Sequence, residues 1–140
     1  MNKMECPFCK IAAGEIPAAK VYEDDDVMAF LDLAPVNKGH TLVIPKEHHE
    51  TLCDTPDELL GKLISTTKLM AQAVQDATNC GGINIWQNNH RVAGQAVPHI
   101  HFHVIPRFEG DGLSFWPQGR YEEGKKEEIR KAIEDAVSKA

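Results

Sequence analysis

No stretch of the sequence approaches the ~18 consecutive apolar residues of a membrane-spanning helix, and the opening MNKMECPFCK lacks the apolar segment of a secretory signal. Cysteine is scarce: Cys6, Cys9, Cys53 and Cys80 are too few and too unevenly placed for a disulfide framework. Positive charge is also short, with 15 Lys and Arg against 21 Asp and Glu and a formal net charge of −6. That balance argues against a phosphate-tracking nucleic-acid surface. It leaves room for a small anionic ligand, because one local site can be cationic on an acidic protein. Internal repeats and low-complexity linkers are absent, and 140 residues at 42% hydrophobic content suit one core. The expectation is a single cytoplasmic domain spanning residues 1–140, with no membrane and no nucleic-acid partner.

What is present reads as α+β. Residues 7–14 suit a short helix closed by Gly14. Residues 21–23 and 27–31 suit a hairpin across Asp24-Asp25-Asp26, and the apolar run 41–44 suits a buried strand stopped by Pro45. A long helix is expected from Thr55, with its hydroxyl as cap, Pro56 at the first position and Glu58 completing a capping box. Leu59, Leu63, Met70, Val74 and Ala77 give that helix an apolar stripe, and Asn79-Cys80-Gly81-Gly82 ends it. Residues 83–86 and 99–105 read as two further strands, the second stopped by Pro106, with a polar loop at 87–96 between them. The charged tail 122–140 reads as a helix packed through Ile129, Ile133 and Val137. Helices kept apart from five strands imply a mostly antiparallel sheet.

The chemistry concentrates in His99-Ile100-His101-Phe102-His103-Val104-Ile105. Alternation along a strand puts His99, His101 and His103 on one face, about 6–7 Å apart at a rise of ~3.3 Å per residue. Three readings fit: an exposed polar face, a tri-imidazole zinc site, or phosphoryl chemistry with an imidazole nucleophile. A second pattern is Cys6-Pro7-Phe8-Cys9, a spacing at which two thiolates reach one metal ion or form a redox pair. No strand precedes it, which disfavours a thioredoxin-like motif.

The segment Gln95-Ala96-Val97-Pro98-His99-Ile100-His101-Phe102-His103-Val104-Ile105 resembles the signature of the histidine-triad (HIT) nucleotide-binding proteins. Ile16-Pro17-Ala18, Val21-Tyr22-Glu23-Asp24, Ala29-Phe30-Leu31-Asp32 and Gly39-His40-Thr41-Leu42-Val43-Ile44-Pro45-Lys46 resemble that family's N-terminal half. The likeness covers a core of residues 6–106, with 107–140 a less typical helical extension, and the small, HINT-like branch fits best.

The resemblance implies a HIT-like fold and a hydrolase or nucleotidyl transferase acting on the α-phosphate of purine nucleotide conjugates, such as adenosine phosphoramidates or dinucleoside polyphosphates. It makes His101 the nucleophile of a covalent nucleotidyl-histidine intermediate. His103 becomes a donor to the phosphate or leaving group, with His99 and His40 in support. Asp32 would hold the ribose, and Leu33, Phe8, Ile11 and Ile16 the base. Without the family, Asp32 reads as a turn residue before Pro35, and Phe8, Ile11 and Ile16 as core. Asn88, Gly94, Gln95 and Ala96 would surround the phosphate, Ala96 standing where relatives commonly carry a hydroxyl.

For the cysteine pair, the resemblance implies a structural zinc held by Cys6, Cys9, His48 and His99, with His49 the alternative to His48. The rival reading is two reduced surface cysteines and an unliganded His48. No catalytic metal is implied. A homodimer through the long helix (55–79) and the strand at 83–87 is also implied, and Trp116-Pro117 either packs locally or covers a partner's site. The alternative function is a nucleotide-binding regulatory or scaffold protein whose hydrolysis is incidental.

Overall fold

In the computed structural model, which describes residues 2–140, the apolar run at 41–44 becomes the central strand of a five-stranded antiparallel sheet. The strands are β1 (Lys20–Glu23), β2 (Val27–Leu31), β3 (Thr41–Pro45), β4 (Gly82–Gln87) and β5 (Phe102–Arg107), in spatial order β1-β2-β3-β5-β4. The helices are α1 (Pro7–Ala12), α2 (Asp57–Thr78) and α3 (Lys125–Ser138). The expected α+β class and HIT-like arrangement are present.

Side-chain alternation divides the core into two layers. Val27, Ala29, Val43, Phe102 and Val104 point toward α2 and meet Leu63, Met70 and Val74. Met28, Phe30, Leu42 and Ile44 point the other way and meet Cys6, Phe8 and Cys9 around α1. Antiparallel register sets Leu42 opposite His103 and Trp86 on the other side of His103, so all three share the α1 face. Gly39 precedes β3 with φ +98, and a Cβ there would lie 2.9 Å from Thr78 Cγ2 of α2, so only glycine fits this approach.

Several local expectations are corrected. The Thr55 hydroxyl does not cap α2 but donates to the Thr51 carbonyl (2.7 Å), and the helix starts at Asp57 without a side-chain cap. At its other end Asn79 takes the left-handed conformation (φ 54) in place of a glycine. Ala77 is exposed, and Thr66 and Thr67 fill the stripe beside Leu63. Both hydroxyls donate to the carbonyl four residues back, which lets threonine be buried in a helix.

The last strand begins later than its alternation suggests. Ladder pairing starts at Phe102, because the backbone at Ile100 instead donates to the His49 carbonyl (2.7 Å). Pro106 does not stop the strand; it lies opposite Ile83, beyond the end of β3. Finally, α3 buries none of its residues, and Ile129, Ile133 and Val137 are 45–68% exposed. The expected packing of that stripe is absent within the chain. Trp116 meets the same chain's Trp86 edge-on, with centroids 6.1 Å apart.

Candidate active site

Although β5 starts only at Phe102, side chains alternate from residue 99 onward. Ile100, Phe102 and Val104 enter the α2 layer, leaving His99, His101 and His103 on the α1 side. They do not converge on one point. His99 is fully buried and its Nδ1 faces Cys6 Sγ (3.4 Å), Cys9 Sγ (3.5 Å) and His48 Nδ1 (3.2 Å). His101 and His103 stay together, with ring centroids 4.9 Å apart. The tri-imidazole site is therefore not formed.

Hydrogen bonds fix the proton on each ring, since a carbonyl only accepts and a backbone N–H only donates. His99 donates through Nε2 to the Pro45 carbonyl (2.8 Å), so its Nδ1 presents a lone pair to the sulfurs. His101 donates through Nδ1 to the His99 carbonyl (2.7 Å), leaving a lone pair on Nε2. His40 accepts at Nδ1 from the Val36 N–H (3.0 Å), which places its proton on Nε2. That Nε2–H donates to His103 Nδ1 (2.9 Å), so His103 keeps its proton on Nε2. One ring thus ends in a bare lone pair, and the ring beside it in a donor.

All four rings are held neutral at pH 7. Burial lowers His101 and His40 below the ordinary imidazole value, and lowers His103 to about 4 with help from its histidine neighbours. Burial likewise takes His99 to about 4. A neutral imidazole keeps the lone pair that nucleophilic attack requires.

His101 and His103 line a cavity of ≈ 360 Å³ on the α1 face. Phe8, Ile11, Ile16 and Leu33 form its apolar sides, Leu33 as an exposed rim. Phe8 meets the His101 ring edge-on at 5.1 Å. Asp32 also lines it, and serves as the turn residue as well: Oδ1 accepts from Ala34 N–H (2.9 Å), while Oδ2 lies 3.6 Å from His40 Nε2. Gly94 and Ala96 close the far wall. Phe30 and Val97 line it too, unforeseen from sequence, although Phe30 shares the sheet face of Leu42 and His103.

Three expected residues are placed differently. His40 lies behind His103 and outside the cavity wall. Asn88 lines a neighbouring cleft of ≈ 410 Å³ with Trp86 and Trp116, and its amide lies 3.6 Å from where a Cβ on Gly94 would be. Gln95 is buried with its carboxamide turned away from the cavity, onto His90 N–H and the Glu50 carbonyl. The Gly94 N–H is also engaged, by the Arg91 carbonyl (3.0 Å). The backbone N–H groups of Ala96 and Val97, two residues that line the cavity, have no hydrogen-bond partner among the described residues.

The donor atoms of Cys6, Cys9, His48 and His99 lie within 4.8 Å of one another and suit a metal ion. Zn–N near 2.0 Å and Zn–S near 2.3 Å imply ligand separations of roughly 3.3–3.8 Å around a tetrahedron. Four of the six separations here run from 3.2 to 3.5 Å, and all six are within 4.8 Å. Burial and the neighbouring Cys6 push the Cys9 thiol up to about 11, so it parts with its proton only for a cation that neutralises it. His49 points outward to Glu47 (3.0 Å), whereas His48 Nδ1 lies 3.3 Å from Cys9 Sγ. Asp32, His40 and His103 form a second close group, but the backbone N–H on His40 Nδ1 keeps a proton on the Nε2 that faces the other two.

A family profile described as HIT domain matches residues 13–110. A crystal structure of a HIT family member from Bacillus subtilis superposes with a TM-score of 0.86 at 43% identity, covering 94% of this chain and 96% of that one. An adenosine 5′-monophosphoramidase of Schizosaccharomyces pombe is 43% identical over 116 residues, covering 81% of this chain and 84% of that protein. A Zn-bound histidine triad family protein from Mycobacterium smegmatis superposes with a TM-score of 0.76 at 38% identity, covering 99% and 100%.

Proposed function

The chain belongs to the HIT family, and from that premise we propose that it is a nucleotide hydrolase or nucleotidyl transferase acting on the α-phosphate of purine nucleotide conjugates, adenosine phosphoramidates foremost. The observation that carries this reading is the pair of opposite tautomers at the cavity wall. His101 offers a lone pair on Nε2, and His103 a proton on Nε2.

In the first step His101 Nε2 bonds to phosphorus, the P–N bond to the leaving group breaks, and the leaving nitrogen takes the His103 Nε2 proton. The charge left on His103 is held by the His40 Nε2–H at its Nδ1 and by the imidazolium formed at His101. Water then supplies hydroxide to phosphorus, its proton returns to His103, and the P–Nε2 bond breaks. The Ala96 and Val97 N–H groups suit the charge that builds on the phosphoryl oxygens. Base and ribose would occupy the slot beside Phe8, Ile11 and Asp32. The N–H donors persist without a hydroxyl at Ala96, which favours an enzyme over a binding or scaffold module. The sulphurs and Nδ1 lone pairs of Cys6, Cys9, His48 and His99 would hold a structural zinc, with no catalytic metal required.

A homodimer suits the unpaired edge of β4 and the outward Ile64 and Leu69 of α2, respectively 52% and 45% exposed. Four unpaired cysteines suit a reducing compartment such as the cytoplasm, and among the described residues no helix is long and apolar enough to cross a membrane. The decisive experiment quenches the protein with adenosine 5′-phosphoramidate and maps adenylate by mass spectrometry. Adenylate on His101, and turnover lost in His101→Ala with AMP binding retained, are expected. Unchanged turnover in that variant would remove the assignment.

A further inference from the structure

The segment between Asn88 and Val97, which leads into the cavity wall, contains a strained residue that the proposed reaction does not use. His90 has φ 72 and ψ 157, a conformation nearly confined to glycine. Its N–H donates to Gln95 Oε1 (2.7 Å), and its carbonyl accepts from the N–H groups of Ala93 and Gln95 (both 3.1 Å). Gln95 in turn donates through Nε2 to the Glu50 carbonyl (2.6 Å), and is only 6% exposed. One buried carboxamide therefore joins two chain segments: residues 90–95, and the loop that carries His48 and the carbonyl of His49.

We infer that Gln95 is a positioning residue, which holds His90 in its strained conformation and so aims the Ala96 and Val97 N–H groups at the phosphoryl group. This inference rests on the proposed hydrolase reading. A substrate-touching role for Gln95 has no geometric support, since both ends of its carboxamide are already paired. Backbone donors act on charge that grows in the transition state, so misaiming them lowers kcat more than it raises KM.

Gln95→Met keeps the buried volume and removes both hydrogen bonds. With adenosine 5′-phosphoramidate, kcat is expected to fall about a hundredfold, with KM changed less than about threefold. His90→Gly alone is expected to leave turnover unchanged, because glycine adopts this conformation freely. Added to Gln95→Met, it is expected to restore at least about tenfold of the lost kcat, because the turn no longer needs bracing. Should Gln95→Met not fold, Gln95→Glu, which keeps the acceptor for His90 and loses the donor to Glu50, is expected to show the same split at smaller size. A raised KM at unchanged kcat, or no rescue by glycine, overturns the inference. Hydrogen exchange separates it from the underlying reading. AMP should protect the Ala96 and Val97 amides in the wild type and not in Gln95→Met, even if the wild type proved unable to turn substrate over. Equal protection in both overturns the role of Gln95 alone.

Discussion

Two histidines four residues apart on one strip of chain serve opposite ends of acid–base chemistry. Around His99 Nδ1 the partners are sulfurs and a second imidazole, every one a potential lone-pair donor, and the one backbone N–H among them, from Cys9, falls on Cys6 Sγ and not on a ring. Around His103 the partner is a ring whose tautomer a backbone N–H has fixed, so a proton has a defined place. The first surrounding suits a cation and the second suits proton transfer. His101 lies between them, and it takes its own tautomer from the main chain of His99. Residue type decides little here; the atom on the far side of each ring decides the chemistry.

The contrast can be broken most forcefully at its proton-moving end. Replacing His103 with Ala is expected to lower kcat at least about a hundredfold, the usual worth of a placed general acid, with bound zinc unchanged by elemental analysis. A matching loss of zinc would show that the two clusters are not separate. At the other end, Cys9→Ser is expected to abolish stoichiometric zinc. It should lower unfolding free energy by about 3 kcal/mol, the linkage expected when metal stands near a hundredfold above its Kd, while kcat falls less than in His103→Ala. Zinc retained in that variant would count against the cluster.

The smallest effect concerns pH. Burial and the neighbouring His101 and His40 lower His103 from the ordinary imidazole value of 6.5 to about 4 in the folded chain. A group lowered in this way binds fewer protons folded than unfolded between those limits. Its contribution is therefore fully present above about 6.5 and is lost as pH falls toward about 4. The acidic limb of kcat/KM for the free protein reports the His101 Nε2 lone pair, which burial also lowers, and should lie below 6.5. A limb at 6.5 would mean a solvated His101, and would remove the burial on which the neutral nucleophile depends.

Much of this was legible from periodicity. The continuous apolar run of β3, buried on both faces, and the alternation of residues 99–104 pointed to the two layers, and the side-chain directions of the triad held even where ladder pairing failed. What misled were groups with a choice of partner. Thr55 suits a cap, yet the Thr51 carbonyl is nearer to hand. Gln95 fits a phosphate motif, yet a segment forty-five residues earlier in the chain claims its amide. His90 carries no mark of its positive φ, because histidine does not advertise left-handed backbone as glycine does. The stripe on α3 is real, but a pattern states that a face is apolar and not what covers it.

Helix α1 is only six residues long, far short of the roughly 12–15 at which a helix persists alone in water. With Cys6 at its cap, it holds Cys9 beneath β2 and β3 and presents Phe8 and Ile11 toward the cavity. Its order is borrowed from whatever its thiols grip. A change that loosens that grip is therefore expected to widen the neighbouring cavity long before it unravels the sheet, so that the cavity's affinity for a flat ring would gauge what lies under its floor.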